Sequence, residues 1–475
     1  MKILLSCFIS FIARSSSMRF PFILPKKLLS IKMNQDFDLF SNKKIIDHVH
    51  LNNERISIYN TNDFSLTQNG FIAMVGPEKC PKKANSLFEL FTSNGIIKGI
   101  FYSNGVIHSI HYSIETEKFN FEQKYGRIPS YLTPLAGFLD SISLFSFPNL
   151  FGVANTAILK VDNKFYSLFE RDLPYPININ WKNKTITTNP KLFISKLKHF
   201  SGHSKYQNSQ IYTIEYSVFM KKIRTLILNN NFNILFDKIV NTKYHPIPHD
   251  FVVIDDVIKN GKSFKTGGMI VIDSPIILSF NKIPLSLNSE LPTYIHFISS
   301  DMTKKIETFS YPSGFVALHY SHYVINKDIL YIYVPLYEKF NLENIDIFGK
   351  YRCIALNLMT REISIGTNPE LEKYNLDFPV RYGNWSILRN IDINQNVNGF
   401  VVCDDLNIIQ TLFFEHLSIC GEGIIINDDF VFFAHNKKEN ISYIMSWNMK
   451  TWKISSKRLP EPIQGIGYHS IFISF

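Results

Sequence analysis

From about residue 50 to the C-terminus the sequence repeats one texture: a short run rich in Ile, Val, Phe, Tyr and Thr, then a break at Asn, Gly, Asp or Pro. GFIAMVG, TAILKVDNKFYSLFE, QIYTIEYSVFM, MIVIDSPIIL, DILYIYVPLYE, YRCIALNL and DDFVFFAHN are examples. Runs of this kind read as strands, and two-residue breaks such as the Asn-Gly of GIFYSNGVIHSIHYS read as hairpin turns. No long stretch joins a 3.6-residue apolar period to helix caps, apart from the N-terminal region and residues 139–150. The expected fold is therefore all-β. So many hairpins in a chain of 475 residues must dispose of their sheet edges. One barrel or sandwich would be overfilled, whereas radial repetition into propeller blades solves the problem at this size. No repeat signature fixes the number of blades.

With 45% hydrophobic and 19% charged residues, including 41 Phe and 23 Tyr, the chain is too apolar to be disordered. Its apolar runs are too often interrupted by Asn, Lys and Pro for a multispanning membrane protein. The net charge of +10 raises the question of an anionic partner. The densest basic stretch, residues 182–199, alternates Lys with Thr, Leu, Ile and Phe, which is a solvated strand face; no nucleic-acid partner is expected. Cys7, Cys80, Cys353, Cys403 and Cys420 form no CxxC pair, so neither a disulfide framework nor a zinc knuckle is indicated. Reduced thiols in a cytoplasmic protein are the expectation.

Residues 1–35 read as an extension and 36–475 as one domain. Lys2 followed by ILLSCFISFIA resembles a short secretory segment, but Met18 and Met33 offer alternative starts. MRFPFILPKKLLSIKM, with Arg19, Lys26, Lys27 and Lys32, suits the surface of an anionic bilayer.

Fourteen histidines are the main metal-capable resource. Four stand out by context: His203 in FSGHSKYQNSQIYTIEYS, His249 in HPIPHDFVVIDD, His319 in SGFVALHYSHYVINKDILYIYVPLYE and His469 in PIQGIGYHSIFI. Each precedes or enters an apolar strand run. They lie too far apart to share a hairpin, so they would meet only around a common axis. Taken singly, each is more often an interior histidine than a ligand.

These four contexts resemble the metal-binding segments of the carotenoid cleavage oxygenase family. GHSKYQNSQIYTIEY is similar to the family's "AHPK" word, HDFVVID to "HDFAIT", LHYSHYVINKDILYIYV to "FHHINAYE", and GYHS to "GFHG". Further words keep their order: NGFIAMVGPEKC, GIFYSNGVIHSIHYS, GVANTAILKVDNKFYSLFERDLPYPI, LDFP and GEGIII. The resemblance spans approximately Phe37 to Phe475. It implies a seven-bladed β-propeller with a central metal site and a small apolar helical or loop cap. It also implies His203, His249, His319 and His469 as ligands of Fe(II), O2 as co-substrate, and oxidative cleavage of a C=C bond of a carotenoid, apocarotenoid or stilbene-like molecule. Four neutral imidazoles suit a first-row ion and leave two octahedral positions open, although ligand type alone would also permit Zn, Cu or Ni. A catalytically inactive propeller binding a lipid or protein partner is the alternative.

The family orients its ligands through acidic residues, matched here by Glu170, Asp377 and Glu422, which are implied to serve His249, His319 and His469 and to leave His203 without an acid. Asp377 is one methylene shorter than the usual Glu, which implies a looser histidine or a shifted backbone. His322 replaces a usual Asn, Ser204 a usual Pro, and Tyr102 and Asn104 usual acids. His296 and His245 are rival ligands but read as structural, as do His108, His111 and His199. The segment LDSISLFSFPNLF groups Leu144, Phe145, Phe147, Leu150 and Phe151, where relatives often dip into a membrane; it reads equally as a buried helix.

Overall fold

Strand pairs run almost entirely between consecutive segments, so the sheets follow one another along the chain. The computed structural model describes residues 45–475 apart from 53, 60–63, 79–86, 129–151, 171, 256–266, 279–284, 342–347, 393–395, 464 and 466. The N-terminal extension, Cys7, Cys80 and the group Leu144, Phe145, Phe147, Leu150 and Phe151 lie outside the described residues. Among those described, seven sheets of four or more strands form a seven-bladed propeller, joined by one two-stranded ribbon, Ile276–Leu278 with Leu285–Leu287.

Each blade begins at its inner strand and steps outward by hairpins. Blade 2 holds Ala157–Val161, Lys164–Leu168, Tyr175–Asn180 and Thr185–Thr188. Blade 3 starts at Lys205–Gln207 and ends at Ile234–Asn241. Blade 4 runs from Val252–Ile254 to Glu307–Tyr311. Blade 5 has its inner position split between Val316–Ala317 and His322–Asn326, and ends at Ile363–Gly366. Blade 6 starts at Leu376–Tyr382 and adds Ile45–Leu51 and Glu54–Tyr59 outside its fourth strand. Blade 7 splits its inner position between Leu417–Ile419 and Ile424–Ile426, and ends at Ile454–Arg458. Blade 1 closes the ring. Its inner strand is the C-terminal His469–Ser474, paired antiparallel with Gly70–Pro77, and Gly95–Ser103 and Val106–Ser113 follow.

The turns explain the hairpin texture. Asn104 and Gly105 between the outer strands of blade 1 both have positive φ, as do Asn208 and Ser209 in blade 3, the backbone a two-residue type I′ turn requires. Seven apolar clusters occupy the seven inter-blade spaces. Ile223, Phe236 and Val240 of blade 3, for example, meet Val253, Met269 and Val271 of blade 4. A strand between two neighbours is buried on both faces. Gly70–Pro77 and Gly268–Asp273 are therefore buried at every position and read as unbroken apolar runs, whereas outer strands alternate.

Among the described residues, two α-helices interrupt the pattern, Leu87–Phe91 and Glu117–Tyr125. The second escapes a periodicity search because EKFNFEQKY has no continuous apolar face. Its signal is local: Thr116 accepts from the Phe119 amide at 3.1 Å as N-cap, Glu117 opens the first turn and Lys124 closes the last. No helix among the described residues is long and apolar enough to cross a membrane. Cys353, Cys403 and Cys420 are free and buried, and burial pushes the latter two thiols up to about 12.

Candidate metal centre

The inner positions of the blades converge on the axis, and each blade delivers one side chain to the centre. His203 stands two residues before the inner strand of blade 3 and His249 three before that of blade 4. His319 lies between the two inner pieces of blade 5, and His469 opens the inner strand of blade 1. Blades 2, 6 and 7 contribute Glu170, Asp377 and Glu422. The four imidazoles sit ring to ring: centroids are 4.4 Å apart for His203–His249, 4.5 Å for His203–His469, 5.2 Å for His203–His319, and 5.1 Å for both His249–His319 and His319–His469. Donor nitrogens of His203, His249 and His319 all lie within 4.8 Å of one another.

Three of the rings are held from behind. Glu170 Oε1 is 2.9 Å from His249 Nδ1, Asp377 Oδ1 is 2.8 Å from His319 Nδ1, and Glu422 Oε2 is 3.3 Å from His469 Nδ1. A carboxylate at Nδ1 fixes the tautomer that leaves the Nε2 lone pair facing the centre. Nε2 of His319 and of His469 are buried without a hydrogen-bond partner. Buried nitrogens left unpaired cost about 1–3 kcal/mol each.

Local structure explains how each histidine is presented. The His203 loop is tied by His203 N–H to Ser201 Oγ at 3.0 Å, and by Ser204 Oγ to Ser201 O at 2.9 Å and to Thr213 Oγ1 at 2.8 Å. Ser204 thus secures by hydrogen bonds a turn that the family's proline would stiffen. Gly202 is required there by close approach, since a Cβ would stand 2.7 Å from Glu170 Oε1. Asp250 accepts from Phe251 N at 2.7 Å and Tyr320 N at 3.2 Å, which locks the His249 segment to the His319 segment.

Asp377 reaches its histidine at full hydrogen-bond strength despite the shorter side chain. The inner strand of blade 6 carries a bulge between Asp377 and Val380, and Phe378 there adopts φ +53°. A non-glycine residue in that region stores roughly 1–3 kcal/mol of strain. Tyr337 Oη donates to the other Asp377 oxygen at 2.5 Å, a partner no sequence word identifies. Thr156, in the ANTA word, donates to Glu170 Oε2 at 3.1 Å. Its neighbour Asn155 donates to the carbonyls of Leu90, Phe91 and Ser93 at 3.4, 3.1 and 2.8 Å, securing a short helix whose Phe91 ring stacks 6.4 Å from His249.

Burial and charge divide the imidazoles. Burial, reinforced by the neighbouring histidines, drives His203 well below the ordinary histidine range. Burial acts the same way on His249, but the Glu170 carboxylate overrides it and raises this ring; the same pairing holds Glu170 low against its own burial. The Nε2 atoms of His203 and His249 approach one another to 2.9 Å. Burial lowers His319, offset only in part by Asp377.

The other histidines have separate places. His296 Nδ1 bonds Thr308 Oγ1 at 3.0 Å within blade 4, and His245 Nδ1 meets Val218 O at 2.9 Å. His199 lies beside Glu215, and His108 and His111 sit on the outer strand of blade 1. His322 stacks 4.5 Å from Tyr333, near Ser321 and Ser386, and burial pushes it down to about 4. Tyr102 is buried, with its hydroxyl accepting from Leu66 N at 3.1 Å, and Asn104 forms the turn.

Comparison with known proteins places this arrangement. No curated protein matches the chain in sequence. The structure is similar to Pseudomonas brassicacearum lignostilbene dioxygenase, at 13% identity over 92% of this chain and 96% of that one with a TM-score of 0.70. It is similar to a variant of Synechocystis apocarotenoid oxygenase, at 13% identity over 92% and 97% of the two chains with a TM-score of 0.68. A cobalt-substituted form of the Synechocystis enzyme gives 13% identity, 86% and 93% coverage and a TM-score of 0.65. These likenesses establish the shared fold. A sequence model of the retinal pigment epithelial membrane protein family matches residues 69–379, well over half of the chain. The chain therefore belongs to the retinal pigment epithelial membrane protein family.

Proposed function

We propose that the protein is a non-haem Fe(II)-dependent dioxygenase that splits a C=C bond of a carotenoid, apocarotenoid or stilbene-like substrate into two carbonyl products. The observation that carries this reading is the meeting of four imidazoles from four blades, with the His319 and His469 Nε2 atoms buried and unpartnered. The donor set fits the ion: His203, His249, His319 and His469 would hold it, backed by Glu170, Asp377 and Glu422. When bound, Fe(II) supplies the one-electron and O2 chemistry that no side chain provides.

The chain's own residues do the rest. The acids fix the Nδ1–H tautomers of His249, His319 and His469. His203, lacking an acid, is held by neutral hydrogen bonds of its loop. Phe378, 4.3 Å from His319, and Phe91 give the surroundings an apolar character suited to a polyene or stilbene. Such substrates dissolve poorly in water. The net positive charge and the Phe-rich segment at residues 144–151 support a cytoplasmic protein that meets a membrane surface peripherally.

Oxygen uptake by iron-loaded protein, measured over a panel of apocarotenoids and stilbenes with products identified by mass, tests the reaction. Uptake with one class and paired carbonyl fragments is expected; iron-loaded protein that consumes no oxygen with any of them would remove the enzymatic reading. Asp377→Asn should weaken metal binding about 10–100-fold in a chelator competition, the usual cost of losing an outer partner of a ligating histidine. Undiminished affinity would take Asp377 out of the site.

A further inference from the structure

Four imidazole ligands are uncharged, so the charge of the centre is set by the groups around them. Glu170, Asp377 and Glu422 bring three negative charges. The next carboxylate, Asp250, is met by Lys205, and that pair cancels. Among the described residues, one buried cation stands against the three. Arg389 lies on the strand Trp385–Ile391, directly across from Asp377, and is 3% exposed. Its guanidinium sits 3.8 Å over the Phe378 ring, which is itself 4.3 Å from His319 and 5.5 Å from His469. Nη1 donates to the Gly467 carbonyl at 3.4 Å, two residues before His469, while Nε is buried without a partner.

Asp377 and Glu422 are each directed at a histidine rather than at Arg389, so among the described residues the guanidinium has no carboxylate of its own. A buried charge without a dedicated partner is tolerated only in a field of opposite sign. Burial works against the charge of Arg389, and the carboxylates of Asp377 and Glu422 support it.

We infer that Arg389 is a positioning residue that acts through the charge of the whole centre: three carboxylates against one guanidinium leave a deficit of two positive charges, which a single divalent ion fills. This rests on the metal-binding reading above. An ion that gives up an electron adds an uncompensated positive charge in a medium of low dielectric, so the arginine favours the divalent state.

The test is a mediated redox titration of the iron-loaded full chain, in which each ferrous ion passes one electron to the mediator. Arg389→Met should shift the ferrous/ferric balance at least tenfold towards ferric, about 59 mV for one electron. Glu422→Gln should shift it the opposite way. The double variant should return to within about threefold of the parent, and Arg389→Lys should stay there. Zinc(II) content and the melting of the zinc-loaded variants report binding and folding apart from redox. Arg389→Met that binds iron with an unchanged balance would overturn the inference. So would a shift that Glu422→Gln fails to reverse, because a packing role is not rescued by a charge elsewhere. Should Arg389→Met not fold, Glu422→Gln alone decides, since an excess positive charge without the opposite shift contradicts the count. A parent chain that takes up neither iron nor zinc overturns the metal reading itself, and the inference with it.

Discussion

His319→Ala should reduce metal retention by more than about 100-fold, beyond the 10–100-fold typical of outer partners, and abolish oxygen uptake with it. The ring occupies the middle of the cluster, within 5.2 Å of His203 and 5.1 Å of both His249 and His469. Its removal takes away one donor and also leaves Asp377 Oδ1 buried without its imidazole, while Tyr337 still donates to the other oxygen. An unsatisfied buried acceptor costs about 1–3 kcal/mol, so the metal-free variant should be modestly less stable than its parent. The larger difference appears with metal. Parent protein gains about 2.7 kcal/mol at a hundredfold excess of ion over Kd, and the variant should gain almost nothing. His296→Ala is the control. That ring bonds Thr308 inside blade 4, so its loss should affect stability while metal content stays at the parent level. Full metal retention in His319→Ala with loss in His296→Ala would show the third ligand to be the other histidine.

Deletion of residues 469–475 should prevent folding altogether. The closing strand pairs with Gly70–Pro77 over six positions, from Val75↔His469 to Gly70↔Ser474. Its side chains serve both neighbouring cores: Ile471 and Ile473 pack between blades 1 and 2, and Phe472 packs against the cluster between blades 7 and 1. A fully buried large apolar side chain contributes about 1.5–3 kcal/mol, so Ile473 with the partly buried Ile471 and Phe472 supplies a sizeable share of the roughly 5–15 kcal/mol by which a protein is stable. The truncated chain also exposes Gly70–Pro77, buried along its whole length, as an open edge, which invites aggregation. Insoluble protein, or soluble protein with no cooperative melt, is the expected outcome. Removing Phe475 alone, half-exposed beyond the last strand, should be tolerated. A soluble 1–468 chain melting within a few degrees of the parent would mean that the ring does not depend on this closure.

Much of the architecture was legible because a propeller strand is constrained locally. Burial on both faces writes itself as runs such as GFIAMVG and GMIVID, and turns with positive φ write themselves as Asn-Gly and Asp-Asn pairs. The helix Glu117–Tyr125 escaped this reading because a short capped helix carries its signal in three residues rather than in a period. Around the centre, the histidine words and those of Asp377 and Glu422 pointed to the blades' inner ends, whereas Glu170 follows the second strand of blade 2. Tyr337, Thr156, Asn155, Phe378 and Arg389 bear on the same site without belonging to any word that gives them a role. Their contacts are made across strands and blades, and the sequence holds no record of which residues lie opposite.

The sequence by itself determined the kind of object: hairpin follows hairpin with double-sided apolar strands, and such a chain must close radially to hide its edges. It also determined which side chains were available at inner strand ends. Only the tertiary structure decided that one residue from each of seven blades meets at the axis, that the shorter Asp377 still reaches His319 by way of a bulge, and that a single arginine stands among three carboxylates. The physical reason is range. Strand and turn preferences act over a few residues and are readable along the chain, whereas hydrogen bonds and charge balance depend on distances that exist only after the ring has closed.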